Sequence, residues 1–290
     1  AKYFTEPTTT EEFAQALDFA HQNKLEICML GHGANILISD DGFDGLVIRP
    51  QITTINHKLH TDNTAEVTTG AGTSFDDLIE YCLNNNLTNL EEFSGIPGTV
   101  GGSVYINLHY YEFFLADFLV QAQIINKQTG KVQTVSKDWF NFGYDISTLH
   151  SKEYYLTTAT FNLKQATDLQ IAHARGRKQE IIRHRTRRFP TSGTCGSFFR
   201  NFLPEEVENT DKQLIYVAYY LDKIGVKGEL SIGDAIVSYQ HANMLINRGN
   251  ATTSDIVQLA QQMQDKVYNE FDIKPQPECQ LIGFKKNPFI

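Results

Sequence analysis

Gly95-Ile-Pro-Gly-Thr-Val-Gly-Gly102 decides how this chain is read, because five of its eight residues are Gly or Pro. An ordinary core strand does not tolerate that density. Glycine permits φ > 0 and removes the Cβ that would hold a ligand away, so successive backbone N–H groups can converge on phosphate oxygens. A simple turn needs one or two special φ values, not four glycines and a proline within eight positions. A second loop, Gly31-His-Gly-Ala-Asn35, lies upstream. Alone it reads more often as a tight turn between buried strands than as a ligand site. Two such loops in one compact segment imply a large phosphate-bearing cofactor, for which a dinucleotide is the natural candidate.

Around the upstream loop the pattern is an apolar run at 27–30, the glycines, a second run at 36–38, a turn at Asp40-Asp41-Gly42 and a third run at 46–48. That is strand, loop, strand. A dinucleotide fold of the Rossmann kind needs strand, G-x-G-x-x-G and helix, and here the third glycine position is Ile36, so that fold is set aside. Before it, Thr9 and Glu12 form a capping box and Phe13, Ala16, Leu17 and Ala20 recur at helical spacing, which predicts a helix over 10–22. Ser74 is expected to cap a second helix burying Phe75, Leu78, Ile79 and Cys82, and strands are expected at 120–126 and 154–163. The unit is α+β. From 168 to 188 the pattern is helical and strongly basic, closed by Pro190, and the domain boundary is placed there. Beyond it a helix is expected over 213–221. Another is opened by Thr252 and Asp255 with Ile256, Leu259, Met263 and Val267 on one face, and a last strand is expected over 280–284.

The 290 residues are 41% hydrophobic and 20% charged, which suits an ordered globular chain of one large or two to three small domains. A formal charge of −9 argues against general nucleic-acid binding, which depends on surplus Lys and Arg. Cys28, Cys82, Cys195 and Cys279 stand far apart with no CxxC pair, so no metal site and no disulfide framework is expected, and a reducing cytoplasm fits. No apolar run approaches the ~20 residues that span a bilayer, so no membrane association is expected.

The order of these pieces carries a resemblance. LGHGANILISDDGFDGLVI (30–48), GIPGTVGG (95–102), GSFFRN (196–201), VSYQHANMLIN (237–247) and PECQLIG (277–283) resemble the UDP-N-acetylenolpyruvoylglucosamine reductase family of flavoproteins, in its shorter subtype. The likeness covers nearly the whole chain. It implies an FAD-binding domain of the vanillyl-alcohol-oxidase (PCMH) type over 1–165, in two lobes of about 1–50 and 51–165, and an α+β substrate-binding domain over 166–290. It implies that Gly31, Gly33, Ala34, Asn35 and Ile36 hold the FAD pyrophosphate, with Gly95, Ile96, Gly98, Thr99 and Gly102 on the other side and Ala71 and Gly72 alongside. It further implies NADPH as hydride donor and a UDP-sugar carrying an enolpyruvyl group as acceptor, in a monomer or weak oligomer.

Hydride addition to that double bond leaves negative charge on the neighbouring carbon and its carboxylate, so an acid and a cation are needed. By resemblance Ser197 is the acid and Glu278 assists it, although a serine beside glycine usually bonds locally and a lone glutamate is usually solvated. Asn201 matches a UDP-sugar contact, and Arg200 keeps the positive charge of the usual lysine. The basic run of Arg175, Arg177, Lys178, Arg183, Arg185, Arg187 and Arg188 faces only Glu180. A solvated helix face is the common reading of such a run. A pyrophosphate-binding edge at Arg183, Arg187 and Arg188 is the other. His241 is given a structural or substrate-side role.

Two places depart from the family. Tyr144-Asp-Ile-Ser147 has Asp145 where the family's Y-R-x-S motif has its arginine. Loss of one such electrostatic partner costs ~3 to 4 kcal/mol of barrier. Asn107-Leu-His-Tyr-Tyr111 replaces a run of small residues and would narrow the same face. The chain also starts at Ala1 without the family's preceding T-F-x-I-G-G stretch, as a truncated sequence would. Three readings stay open: the family's reductase, a divergent flavin oxidoreductase with another substrate, and a non-catalytic binder of FAD or UDP-sugar.

Overall fold

A computed structural model describes residues 1–209 and 215–289. The first elements are β1 (Tyr3–Thr5), α1 (Thr10–Gln22), β2 (Glu26–Met29), β3 (Ile36–Ile38), β4 (Gly45–Ile48), β5 (Ile55–Leu59), β6 (Thr64–Gly70), α2 (Phe75–Asn84) and β7 (Leu87–Thr88). Then come α3 (Val100–Tyr105), β8 (His109–Tyr110), β9 (Phe113–Phe114), β10 (Leu119–Asn126), β11 (Val132–Ser136), β12 (Tyr154–Gln165) and α4 (Asp168–Arg188). The rest are α5 (Pro204–Val207), α6 (Val217–Lys223), β13 (Ser231–Ile232), β14 (Ala235–Val237), β15 (Leu245–Asn247), α7 (Thr253–Phe271) and β16 (Gln280–Ile282).

The chain packs as two units, Ala1–His32 with Asp44–Arg183, and Gly33–Phe43 with His184–Ile290. The division falls inside α4, and the second unit takes in an eleven-residue excursion, residues 33–43, that the sequence does not announce. In the first unit a parallel sheet of order β1-β4-β2 is covered by α1, whose Phe13, Leu17 and Ala20 pack on Leu46 and Ile48. An antiparallel sheet of order β11-β10-β12-β6-β5 carries β7 on the C-terminal end of its central strand β12 and packs its apolar face on α2, where Phe75, Leu78, Ile79 and Cys82 are all buried. In the second unit β3 pairs in parallel with β16, Ile36 opposite Gln280, and β13-β14-β15 form an antiparallel sheet against α7. Its core joins Phe198, Phe199, Phe202 and Tyr220 to Leu259, Met263 and Val267 of α7.

Local chemistry explains most boundaries. Thr9 Oγ1 accepts the Glu12 amide at 3.1 Å, but the Glu12 carboxylate turns back to Thr8, so α1 has half of the expected box. At α7 both halves form, between Thr252 and Asp255. Ser74 sits at the start of α2 without a side-chain cap bond, a correction to its expected role. The last strand is shorter than expected because Gly283 turns at φ +77, where a Cβ would meet Gly42 O at 2.1 Å. The expected helix over 213–221 is found as α6 from Val217, while its first two positions, 213 and 214, lie outside the described residues. No helix among the described residues is long and apolar enough to cross a membrane.

Candidate functional site

In the first unit the two glycine loops meet. A Cβ on Gly31 would lie 2.7 Å from Thr99 Oγ1, so a side chain there would displace the Thr99 hydroxyl. Thr99 opens α3, its Oγ1 accepting the Gly102 amide at 3.2 Å. Ile96 N bonds Phe93 O at 3.3 Å, Val100 N bonds Thr73 O at 2.9 Å and Gly101 N bonds Ala71 O at 2.8 Å. The Ala71 turn and the start of α3 are therefore tied together. Gly72 has its own packing reason, since a Cβ there would stand 2.3 Å from Pro50 O. Gly98 has none of this kind: a Cβ there would find only Ser103 Oγ, at 3.7 Å, and the amides of Gly98 and Thr99 donate to no protein acceptor among the described residues. Gly95 turns at φ +74.

The same accounting holds for the upstream loop. None of the five amides from Gly31 to Asn35 donates to a protein acceptor among the described residues. Gly33 has φ +72, the conformation in which neighbouring N–H groups converge. Asn35 Nδ2 donates to Glu278 Oε1 at 3.3 Å, Asn35 O accepts from Gln280 N at 3.0 Å, and Asn35 Oδ1 is buried without a hydrogen-bond partner among the described residues. Ile36 then begins β3.

The second unit brings the expected acid and its helper to this segment. Gly196 turns at φ +82, and a Cβ there would be 3.5 Å from Ala34 O. Ser197 follows, paired with Met244, and Glu278 N donates to Phe198 O at 2.8 Å, so the strand of Ser197 runs beside that of Glu278. Ser197 Oγ has no protein hydrogen-bond partner among the described residues, so the local bond usual for such a serine is not made. Sequence reasoning missed the clamp that holds this strand: buried Asn243 accepts from Phe199 N at 3.0 Å and donates to Phe199 O at 2.7 Å. The signal was present in the H-A-N motif, where attention went to His241. That imidazole is itself a brace, its Nδ1 accepting the Asn243 amide at 3.2 Å while its ring leans on Phe189. Burial, aided by Arg188, holds its pKa down at about 4.

Substrate-side residues are distributed differently. Arg200 forks onto Glu206 at 2.7 and 2.8 Å, and that guanidinium holds the Glu206 carboxyl below its ordinary range. Asn201 Oδ1 accepts the Val217 amide that begins α6, at 3.2 Å. Along α4 the earlier part of the basic run is consumed by ion pairs: Arg175 with Glu80, Arg177 with Glu92 and Glu180, and Lys178 with Asp76 and Glu80. Arg183, Arg187 and Arg188 are exposed, and no carboxylate among the described residues lies within ion-pair reach of them.

The two departures from the family pattern touch one another. His109 Nδ1 lies 3.5 Å from Asp145 Oδ1, with the His109 ring 4.6 Å from Tyr144 and 5.5 Å from Phe114. Asp145 has φ +56. Burial pushes the His109 pKa down from its ordinary value. The segment is stapled to the end of α3 by Asn107 Nδ2 to Gly143 O at 3.0 Å and Ser147 Oγ to Tyr105 O at 2.7 Å.

In the first unit the unused amides of Gly31, His32, Gly98 and Thr99 and the open face at Gly98 fit a group rich in phosphate oxygens, as FAD is; in the second, Asn35 Oδ1, without a partner among the described residues, fits a hydrogen-bond donor. The comparisons agree. Residues 1–136 match the family described as FAD binding domain, and 189–282 match that described as UDP-N-acetylenolpyruvoylglucosamine reductase, C-terminal domain. A protein of Trichormus variabilis named UDP-N-acetylenolpyruvoylglucosamine reductase is 32% identical over 285 residues, 98% of this chain and 81% of that one. A protein of the same name in Latilactobacillus sakei is 31% identical over 280 residues, 96% of this chain and 86% of that one. The crystal structure of the UDP-N-acetylenolpyruvylglucosamine reductase of Thermus caldophilus superposes with a TM-score of 0.77 at 26% identity, covering 96% of this chain and 91% of that one. With the α+β fold, the flavin-type loops and near full-length likeness in hand, the chain belongs to the UDP-N-acetylenolpyruvoylglucosamine reductase family, whose members are flavin-dependent oxidoreductases.

Proposed function

We propose that this protein reduces UDP-N-acetylglucosamine enolpyruvate to UDP-N-acetylmuramate with FAD as cofactor and NADPH as hydride donor, a step of peptidoglycan precursor synthesis and so of cell-wall biogenesis, cell shape and division. Residues 1–165 form the FAD-binding part and 166–290 the substrate-binding part. The observation that carries this reading is that Ala34 and Asn35, expected at the cofactor, lie against Gly196 and Glu278, the neighbourhood of the expected acid.

When bound, FAD would supply two-electron hydride chemistry between NADPH and the enolpyruvyl double bond. The protein's part is electrostatic and positional. The unused amides of Gly31 and His32, with those of Gly98 and Thr99 in the same unit, would bind the pyrophosphate. Ser197 Oγ gives its proton to the carbon next to the one that accepts hydride. A neutral hydroxyl does this without repelling the substrate carboxylate. Glu278, its carboxylate held by Asn35 Nδ2 at 3.3 Å, takes the assisting role at the same centre. Arg187 and Arg188 offer exposed cations to the UDP phosphates, and Asn201 offers its amide. Arg200 joins them only by leaving Glu206.

A reducing compartment, the cytoplasm, agrees with four free thiols. A monomer or weak oligomer with no nucleic-acid partner completes the reading. The test is direct: purified protein should be yellow and should oxidise NADPH rapidly when the enolpyruvyl substrate is added. Turnover no faster than the substrate-free background would overturn the proposal.

A further inference from the structure

Cys195 and Cys279, 84 positions apart, are brought face to face next to Ser197 and Glu278. The strand that begins at Ser197 lies antiparallel to the segment ending at Cys279: Phe199 faces Pro277, Arg200 N donates to Gln276 O at 3.0 Å, and Glu278 N donates to Phe198 O at 2.8 Å. Continued by two residues, that register sets Ser197 across from Cys279. Cys195 precedes the turn at Gly196, φ +82, and its thiol lies within interaction range of the Cys279 thiol. Cys279 is buried and Cys195 half-buried. All four cysteines are free.

We propose that Cys195 and Cys279 form a peroxide-responsive dithiol, in which Cys195 is the attacking sulfur, Cys279 resolves it as a disulfide, and the closed bridge restrains the backbone that carries Ser197 and Glu278. The chemistry balances. Cys195 as thiolate attacks one oxygen of hydrogen peroxide, breaking the O–O bond. This gives a sulfenic acid at Cys195 and hydroxide, which leaves as water with the thiol proton. Cys279 then attacks the Cys195 sulfur, forming S–S and breaking S–O, and its own proton leaves with the hydroxyl as a second water. Two thiols lose two electrons and one peroxide gains them.

Roles divide between the sulfurs by environment. Cys195 is half-buried and within reach of peroxide, whereas Cys279 is buried and reacts only once the Cys195 sulfur is oxidised. Cys28 and Cys82 are buried, lie in the other unit, and have pKa values raised by burial, Cys82 to about 12, so they are poor competitors. Bridge formation draws the sulfurs to a bond of about 2.05 Å, and the backbone next to each cysteine, at Gly196 and Glu278, takes up the shift. That the bridge lowers turnover rests on the function proposed above; that it forms does not.

The test treats the full-length protein, as purified, with hydrogen peroxide, then blocks free thiols under denaturing conditions and reads intact mass and non-reduced peptides. Expected is two blocking groups taken up where reduced protein takes four, with one cross-linked peptide joining Cys195 to Cys279, reversed by dithiothreitol. In Cys279→Ala the same treatment should leave a sulfenic acid on Cys195 that dimedone traps. Oxygen adducts on wild-type Cys195 without a cross-link, a bridge through Cys28 or Cys82, or four thiols still alkylatable would each overturn the proposal. The reversible loss of NADPH oxidation expected in oxidised wild type should be absent in Cys279→Ala. If the cross-link forms and no turnover exists to lose, the assigned activity fails and the dithiol stands.

Discussion

His241 works through an acceptor that only its neutral form has. Its Nδ1 takes the Asn243 amide, and Asn243 holds both backbone groups of Phe199, two residues from Ser197. Because the folded pKa, about 4, lies below the ordinary 6.5, the unfolded chain binds this proton more readily. Stability from this group is therefore complete above pH 6.5, falls as pH drops toward 4, and is constant below. The shift corresponds to at most about 3 kcal/mol. His241→Gln should flatten that limb, so that urea midpoints of wild type and variant converge as pH falls from 7 to 4; parallel curves would refute the role. His109 and His150 are also held low by burial and titrate in both proteins, so the difference between the curves is the quantity to read. At this scale the sequence showed which residues were unusual but not that they were neighbours. Asp145 and His109 stand 36 positions apart, as do many residues that never meet, and their contact follows from the staples at Asn107 and Ser147.

Capping separates two helices that look alike in sequence. Thr9 and Ser74 both precede amphipathic runs, yet Thr9 holds the Glu12 amide and Ser74 holds none. Thr9→Ala should cost about 1 kcal/mol, the usual worth of a capping bond, whereas Ser74→Ala should stay within about 0.5 kcal/mol. Equal losses in denaturant titrations would show that Ser74 caps α2 in solution after all. Helices were legible because caps, periodicity and breakers are written within a few residues of one another. The α4 bounds follow from Asp168 at one end and Pro190 just beyond the other. Pairing is less legible, since β3 finds β16 across some 240 residues and short apolar runs carry no address. The excursion of residues 33–43 into the second unit escaped for the same reason. It is fixed by that pairing and by α7, where Thr253 Oγ1 bonds Ile38 O at 3.1 Å and Thr253 N bonds Asp40 Oδ2 at 2.7 Å.

Gly72 and Gly98 are both assigned to the cofactor by family resemblance, and for the molecule as a whole the structure divides that signal in two. At Gly72 the missing Cβ makes room for Pro50 O, so the residue serves the fold; at Gly98 the space is open, and the protein itself gives no reason to exclude a side chain. The two positions therefore separate folding from cofactor retention. Gly72→Ala should yield little folded protein in either the presence or absence of FAD, because backbone would have to move to admit a carbon 2.3 Å from an oxygen. Gly98→Ala should fold, with a melting temperature near that of the wild-type apoprotein, and should lose flavin on gel filtration. A ligand that binds only the native state adds RT ln(1 + [L]/Kd), about 2.7 kcal/mol at a hundredfold excess over Kd, so wild type should gain several degrees on adding FAD. Gly98→Ala should gain much less. If it instead takes up FAD with wild-type affinity and shows the same gain, the backbone at Gly98 does not approach the pyrophosphate, and the open face there needs another occupant.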